Sequence, residues 1–455
     1  MKKNMAKDMT EGGPLRLLIH FSIPILLGTL FQQLYNMVDT VIVGRYLGIQ
    51  ALSAVGATGS VTYLVTGFCT GLCNGFAIPV SQQFGAKDYR KMRKYLMNCV
   101  YLSVLCAVIM TISTVGLCWN ILELMKMPEE IIHGSYSYLI VIFAGLPFTF
   151  LYNMTAGVLR AIGDSKRPFY FLLVATGINI ILDLLFIIVL GMGVAGAAYA
   201  TIIAQAFSGI ACLIYTKKKY EILHIKADEK NVEKTCVFEL CKMGIPLGIL
   251  TCVTGIGTVI VQSAVNLLGK TYVASFTAVS RLKQLSVMPY IAMDSAIATF
   301  TSQNYGAGKI DRVKKGVKAG VLIYGAITLI VLPVLTFGSD KAALIFVEAA
   351  EVEVLKNVDL YYKCCGPFYV VLIILDCYRS VLQGLGHSSI SMIADVCELA
   401  GRGIISLFVV PVVGYIGICF ADSIAWIVAA VWVMSMYYVI MRKISTGKMK
   451  KEIHL

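Results

Sequence analysis

Two aspartates stand in apolar sequence that gives them no counter-charge. Asp39 lies in Asn36-Met37-Val38-Asp39-Thr40, and Asp183 in Asn179-Ile180-Ile181-Leu182-Asp183. On a helix, residues three or four apart share a face. That places Asn36 beside Asp39, Asn179 beside Asp183, and Thr201 beside Gln205. An aspartate at the centre of a membrane helix costs about 2.5–3.5 kcal/mol on insertion scales. Neither run has a Lys or Arg at its middle, so no salt bridge within the run offsets that cost. Three states satisfy the physics. The carboxyls can be protonated, since burial and a neighbouring like charge both disfavour the ionised form. They can bind a cation such as Na⁺, with the Asn179 amide oxygen, the Thr201 hydroxyl and a backbone carbonyl as further hard oxygen ligands. Or they can be neutral and hydrogen-bonded across helices, in a purely structural role. The first two amount to reversible loading of a cation onto a buried acid.

The second half of the chain arranges its charges differently. Asp395, Glu398 and Arg402 fall at offsets of three and four, so Glu398 and Arg402 can pair along one helical face. Asp376 and Arg379 sit near the end of the preceding apolar run. Arg281, Lys283 and Asp294 lie along another, and Asp422 occupies the last. Acids and bases are mixed here, and buried charges are expected to pair. The sequence therefore predicts a structural or gating ion-pair network in this half, in preference to a second coupling site.

These residues require long apolar helices to carry them. Of the 455 residues 58% are hydrophobic and only 14% charged, where a soluble chain would carry roughly a quarter. About 12 runs reach the length of about 20 residues that a bilayer demands. Six fall between about residues 16 and 216 and six between about residues 241 and 441. The net charge of +13 would suit a nucleic-acid partner, but its distribution excludes that reading. Alternate loops hold about 30 of the 39 Lys+Arg, the asymmetry that marks cytoplasmic loops. Both termini and the polar stretch 217–237 are therefore expected in the cytoplasm. The 14 cysteines show no recurring CxxC pair and the five histidines are scattered, so neither a disulfide framework nor a metal site is expected. The first apolar run is too long for a cleaved signal and lacks a small-residue cleavage site.

The chain also repeats itself. Ser81-Gln82-Gln83-Phe84-Gly85-Ala86 returns as Ser302-Gln303-Asn304-Tyr305-Gly306-Ala307, and Gly193-Val194-Ala195-Gly196 as Gly414-Tyr415-Ile416-Gly417. Six spans per copy restore the starting side of the membrane, so the halves run parallel and face each other across a cleft. The expected architecture is an all-α integral membrane protein. Its 12 transmembrane helices form two pseudo-symmetric six-helix lobes, V-shaped around a central cleft. Residues 1–216 form the N-lobe, 217–237 a cytoplasmic linker and 238–455 the C-lobe. Pro24 in the first span and Pro246 in the seventh sit at matching positions, where proline bends a helix. The acids do not repeat: Asp39 faces an apolar residue in the copy, and Thr201 faces Asp422.

Several motifs together resemble the MATE (multidrug and toxic compound extrusion) family of the MOP superfamily. They are Met9-Thr10-Glu11-Gly12, Pro24, Gln33-x-x-Asn36-x-x-Asp39-Thr40-x-x-Val43-Gly44, Val55-Gly56-Ala57, Leu159-Arg160-Ala161-Ile162-Gly163-Asp164 and the Ser-Gln-x-x-Gly-Ala repeats. The resemblance implies two six-helix lobes and export of organic cations in exchange for H⁺ or Na⁺. It implies a cation-coupling site at Asp39, Asn179, Asp183 and Thr201, with Ala197 one turn earlier as carbonyl donor, and a bending role for Pro24. An acid that one branch of the family carries in span 7 is absent here, which points to the N-lobe as the coupled one. The substrate cleft is expected to include Gln33, Tyr35, Asn36, Tyr138 and Gln205. Arg281, Asp294, Asp376, Asp395, Glu398 and Arg402 are expected in the C-lobe network. The resulting expectation is a monomeric, multi-pass antiporter of the inner or plasma membrane, not an enzyme. It needs no cofactor beyond the coupling ion, and its partners are a small organic substrate and the bilayer. The alternative on the same fold is a flippase for lipid-linked saccharides, or export of another small metabolite. A flippase would use unpaired basic residues, with Arg281, Lys283 and Arg402 as candidates.

Overall fold

The computed structural model describes residues 7–446; the two chain ends, expected in the cytoplasm, lie outside that range. The described elements are helical. Helix α1 (Pro14–Gly85) runs for 72 residues, about 108 Å at 1.5 Å per residue, far beyond one bilayer core of about 30 Å. Its helical dihedrals break at Gly48, with φ 84°, and this divides it into two spans. There follow α2 (Tyr89–Gly116), the short α3 (Cys118–Leu124), α4 (Glu129–Ala144), α5 (Leu146–Ala161), α6 (Lys166–Leu184) and α7 (Gly193–Lys219). The second half comprises α8 (Lys234–Leu268), α9 (Lys270–Gly306), α10 (Ile310–Ala343), α11 (Val352–Cys365), α12 (Tyr369–Gly384), α13 (Ser388–Ile404), the single turn α14 (Val410–Val413) and α15 (Tyr415–Ser445).

Nine helices among the described residues are long and apolar enough to cross a membrane, or ten if α4 and α5, bent by 46°, form one span. The bend follows from the sequence Gly145-Leu146-Pro147. Pro147 stands in the first turn of α5, and a side chain on Gly145 would collide with Ile202. The second span inside α1 adds another. So does α9, which is 37 residues long but diluted by Lys270, Arg281, Lys283 and Asp294. That restores the twelve expected.

The sequence repeat is written into the backbone. Positive φ occurs at Gly48 (84°) and Gly269 (110°), at Lys87 (60°) and Gly308 (71°), at Gly163 (87°) and Gly386 (91°), and at Gly193 (60°) and Gly414 (66°). A π-helical turn follows α6 at Leu185–Val189, and its counterpart follows α13 at Ile405–Val409. The helix breaks therefore fall at corresponding places in both copies.

Two compact units emerge. One contains residues up to Gly12, His20–Thr251 and Ser302–Lys309; the other contains Gly13–Ile19, Cys252–Thr301 and the chain from Ile310. The polar stretch 217–237 packs within the first unit, and the chain leaves that unit inside α8. Arg93 holds Glu229 through two hydrogen bonds of 2.6 Å each. Lys94 pairs with Glu233 at 3.0 Å and Arg90 with Asp228 at 3.0 Å. The basic first turns of α2 are thus clasped by the acids of the polar stretch. The two copies of the repeated hexapeptide also meet within this unit. A Cβ on Gly85 would strike the Gln303 backbone, and one on Gly306 would strike that of Gln82. Gln303 donates to the Ala161 carbonyl at 2.8 Å and accepts from the Met9 N–H at 2.8 Å. The Asn304 amide donates to the Met9 carbonyl, so the opening segment is bolted onto the repeat.

Candidate functional site

In the first unit the predicted coupling residues lie on α1, α6 and α7. Asp183 is fully buried on α6 and Asn179, one turn before it, is 1% exposed. Neither carboxylate oxygen of Asp183 and neither side-chain atom of Asn179 has a hydrogen-bond partner. Asp39 on α1 is 8% exposed, and its Oδ1 is likewise buried without a partner. The two carboxylates lie within electrostatic reach of each other, and both act on the hydroxyls of Tyr35 and Tyr138. Ala197 is fully buried and Thr201 half-buried on α7. An apolar cluster made of Ile42, Val43, Tyr138, Ile187, Ala197 and Ile202 adjoins every one of these helices. Asp39 sits one turn before Val43 and Asp183 one turn before Ile187, so both acids border it. The π-helical turn begins two residues after Asp183, and such bulges recur at functional sites.

This arrangement is polar groups without partners inside an apolar shell. Buried polar groups are hydrogen-bonded in the great majority of cases. An ionised carboxylate left alone there would be strongly disfavoured. A proton or a bound monovalent cation removes that penalty, and the Asn179 amide oxygen beside Asp183 is a hard donor for either form.

The remaining expected residues separate. Gln205 accepts a 2.6 Å hydrogen bond from the Thr149 hydroxyl of α5, a partner that nothing in the spacing announced. Asn36 is exposed and donates to Gln33 at 3.1 Å, so its amide is engaged along α1. Pro24 is buried within continuous helical dihedrals; the break in α1 lies at Gly48.

In the second unit most of the predicted network is present as a chain of contacts. Arg379 binds Asp376, Asp395 (2.8 Å) and Glu398 (3.3 Å). Arg402 joins Glu398 (3.0 Å) to Asp422 (2.9 Å), and Asp422 also pairs with Lys283 and accepts from the Tyr361 hydroxyl. Asp294 accepts from Tyr324 and Ser380. Arg281, expected in this network, lies outside it. It is exposed on α9, lines a cavity with Lys270, Glu348 and Glu351, and makes no salt bridge among the described residues. Lys283, two positions on and therefore on a different face of the helix, takes the place beside Asp422. Among the described residues no cluster of three or more His, Cys, Asp or Glu has metal-binding geometry.

Helices of membrane-spanning length, a backbone duplication and a partnerless acid pair define a multi-pass membrane transporter built from two repeats. The MatE family model matches residues 24–185 and 246–409, one segment in each half, and the chain belongs to that family of membrane transporters. It is 35% identical over 309 residues to "Probable multidrug resistance protein YpnP" of Bacillus subtilis, covering 68% of this chain and 69% of that one. It is 24% identical to the "Multidrug export protein MepA" of Staphylococcus haemolyticus over 98% of both chains. The fold is that of solved MATE structures. A crystal structure of MATE in complex with MaL6 superposes with a TM-score of 0.90 at 22% identity, over 98% of this chain and 100% of the other.

Proposed function

We propose that this protein is a secondary active antiporter that exports lipophilic organic cations in exchange for H⁺ or Na⁺. The observation that carries this reading is the buried pair Asp39 and Asp183, with Asn179, left without hydrogen-bond partners in an apolar shell. Such a pair is stable only while it holds a cation. Its occupancy therefore changes the local energy by several kcal/mol, which is the differential a coupled transporter needs between its two states. Loading from outside and release inside would alternate with substrate binding. Thr201 and Ala197 on α7 supply the remaining donors, and Pro24 permits α1 to bend between two shapes. The names of relatives such as YpnP and MepA support drug export as the class of cargo.

The saccharide-lipid flippase reading needs unpaired cations, and two of its three candidates have acidic partners: Lys283 binds Asp422, and Arg402 binds Asp422 and Glu398. The paired C-lobe network is assigned a structural role. The positive-inside asymmetry supports cytoplasmic termini, in a protein that acts as a monomer in the plasma or inner membrane.

The test is reconstitution into liposomes with ΔpH and ΔNa⁺ imposed separately, following efflux of a fluorescent cationic dye. The wild type is expected to respond to one of the gradients, and Asp183→Asn to neither. Gradient-driven efflux at the wild-type rate by both Asp39→Asn and Asp183→Asn, at equal reconstitution, would remove the mechanism.

A further inference from the structure

We infer that the first unit carries a second binding site, distinct from the acid pair, for the phosphate of an anionic phospholipid headgroup. The site is a cavity of about 300 Å³ between the start of α1, the start of α6 and the end of α7. That volume lies at the small end of those that hold small ligands. Lys7, His20, Lys166, Arg167 and Lys219 line it, with Asp164 as the acid among them.

Asp164 forms no salt bridge with Lys166, Arg167 or Lys219. Its Oδ1 accepts the backbone N–H groups of Lys166 and Arg167, each at 3.2 Å, and its Oδ2 accepts the Tyr220 hydroxyl at 2.6 Å. Both carboxylate oxygens are thus committed to holding the loop and the first turn of α6. Lys166, Arg167 and Lys219 enter no salt bridge among the described residues. The Arg167 guanidinium is held over the Tyr215 ring at 5.2 Å, which fixes a planar donor fork at the rim of the cavity. The floor is rigid as well. Gly163, with φ 87°, lies so close to the Lys7 carbonyl that a side chain there would collide. The opening segment and the α5–α6 turn are therefore locked together beneath the cations. The structure thus presents a preformed concave surface with excess positive charge.

The surroundings favour a lipid over a free anion. Ile23, three residues beyond His20 on the same face of α1, is 48% exposed; Tyr170 and Val174, three and seven residues beyond Arg167 on α6, are 48% and 51% exposed. Apolar surface thus begins one turn below the cavity lining on two of the three helices, as the acyl chains of a bound phospholipid require. Tyr170 stands where an interfacial aromatic belongs. The cavity also lies on the side of the protein that carries the basic loops, where anionic headgroups meet basic pockets between helices.

The purified full-length protein is titrated with dioctanoyl phosphatidylglycerol, dioctanoyl phosphatidylcholine and inorganic phosphate, with thermal unfolding as readout. Two triple variants are compared with wild type: Lys166→Gln/Arg167→Gln/Lys219→Gln at the cavity, and Lys314→Gln/Lys315→Gln/Lys318→Gln, which removes the same charge from exposed positions on α10. Each cation lost near an anionic surface weakens binding about fivefold. The cavity variant should therefore bind phosphatidylglycerol about a hundredfold more weakly, while the α10 variant keeps the wild-type curve and phosphatidylcholine gives no saturable shift. Equal weakening in both variants, or a wild-type curve for the cavity variant, overturns the site. Inorganic phosphate matching the lipid at equal concentration would keep the anion site and overturn the lipid as its source. Should the cavity variant unfold, native mass spectrometry of the single variants Lys166→Gln and Lys219→Gln counts bound phosphatidylglycerol directly, and undiminished lipid in both would equally sink the proposal.

Discussion

At the scale of single residues, two kinds of buried acid behave in opposite ways. Asp183 has no partner to lose, so Asp183→Asn removes a costly charge and keeps the shape. Its melting temperature should equal or exceed that of wild type while gradient-driven efflux disappears. Asp422 is the reverse case, because it accepts from Lys283, Arg402 and Tyr361. Asp422→Asn leaves Lys283 without its counter-charge and Arg402 with Glu398 alone, and breaking a buried pair in this way costs about 3–5 kcal/mol. A clear fall in melting temperature is expected; a melting temperature unchanged from wild type would show that the network contributes nothing to stability. The sequence exposed Asp39, Asn179 and Asp183 because a charge or amide inside an apolar run is conspicuous with no knowledge of packing. It did not expose Thr149 as the partner of Gln205, or Tyr324 and Ser380 as partners of Asp294. Those pairs join different helices, and a hydroxyl in a membrane helix gives no sign of where it points. Arg281 shows the same limit from the other side: two residues' rotation on α9 decides whether a cation meets Asp422 or lines an exposed cavity.

At the scale of elements, the polar stretch between α7 and α8 read as a linker because it is charged and breaks the apolar pattern. What the composition concealed is that its acids are matched to the basic start of α2. Glu229 is 1% exposed, and the Arg93 guanidinium holds its carboxyl down from 4.5 to about 2. A group depressed in the folded state contributes stability that is complete above its unfolded value and is lost as pH falls through its folded value. The clasp should therefore be intact at neutral pH and at pH 5, and weaken progressively as pH falls from about 4.5 toward 2. Amide hydrogen exchange of residues 220–233 across that range reads it directly; exchange that already accelerates between pH 7 and 5 would contradict the assignment. Arg93→Ala leaves the Glu229 carboxylate buried without its partner, at a cost of about 3 kcal/mol. Limited proteolysis should then cut this stretch at neutral pH, where the wild type resists.

At the scale of the whole molecule, the duplication was plain in the sequence, but the reason the Ser-Gln-x-x-Gly-Ala segment persists in both copies was not. A repeat can survive as mere ancestry. Here each copy touches the other: Gly85 rests against the Gln303 backbone and Gly306 against that of Gln82. Small residues at helix crossings let backbones approach closely where lipid supplies no hydrophobic force between helices. The neighbour in each case is backbone, which cannot rotate aside as a side chain would. Gly85→Ala and Gly306→Ala should each destabilise the protein by about 2 kcal/mol or more, read as a fall in melting temperature. The two glycines serve one reciprocal crossing, so either substitution forces the same pair of helix ends apart. Once they are apart, the second methyl finds room. The double variant should thus lose clearly less than the sum of the single losses, an interaction energy of about 0.5–3 kcal/mol in a double-mutant cycle. Strict additivity would mean that the two contacts are independent. The repeated segment would then be two separate helix ends that happen to share a sequence.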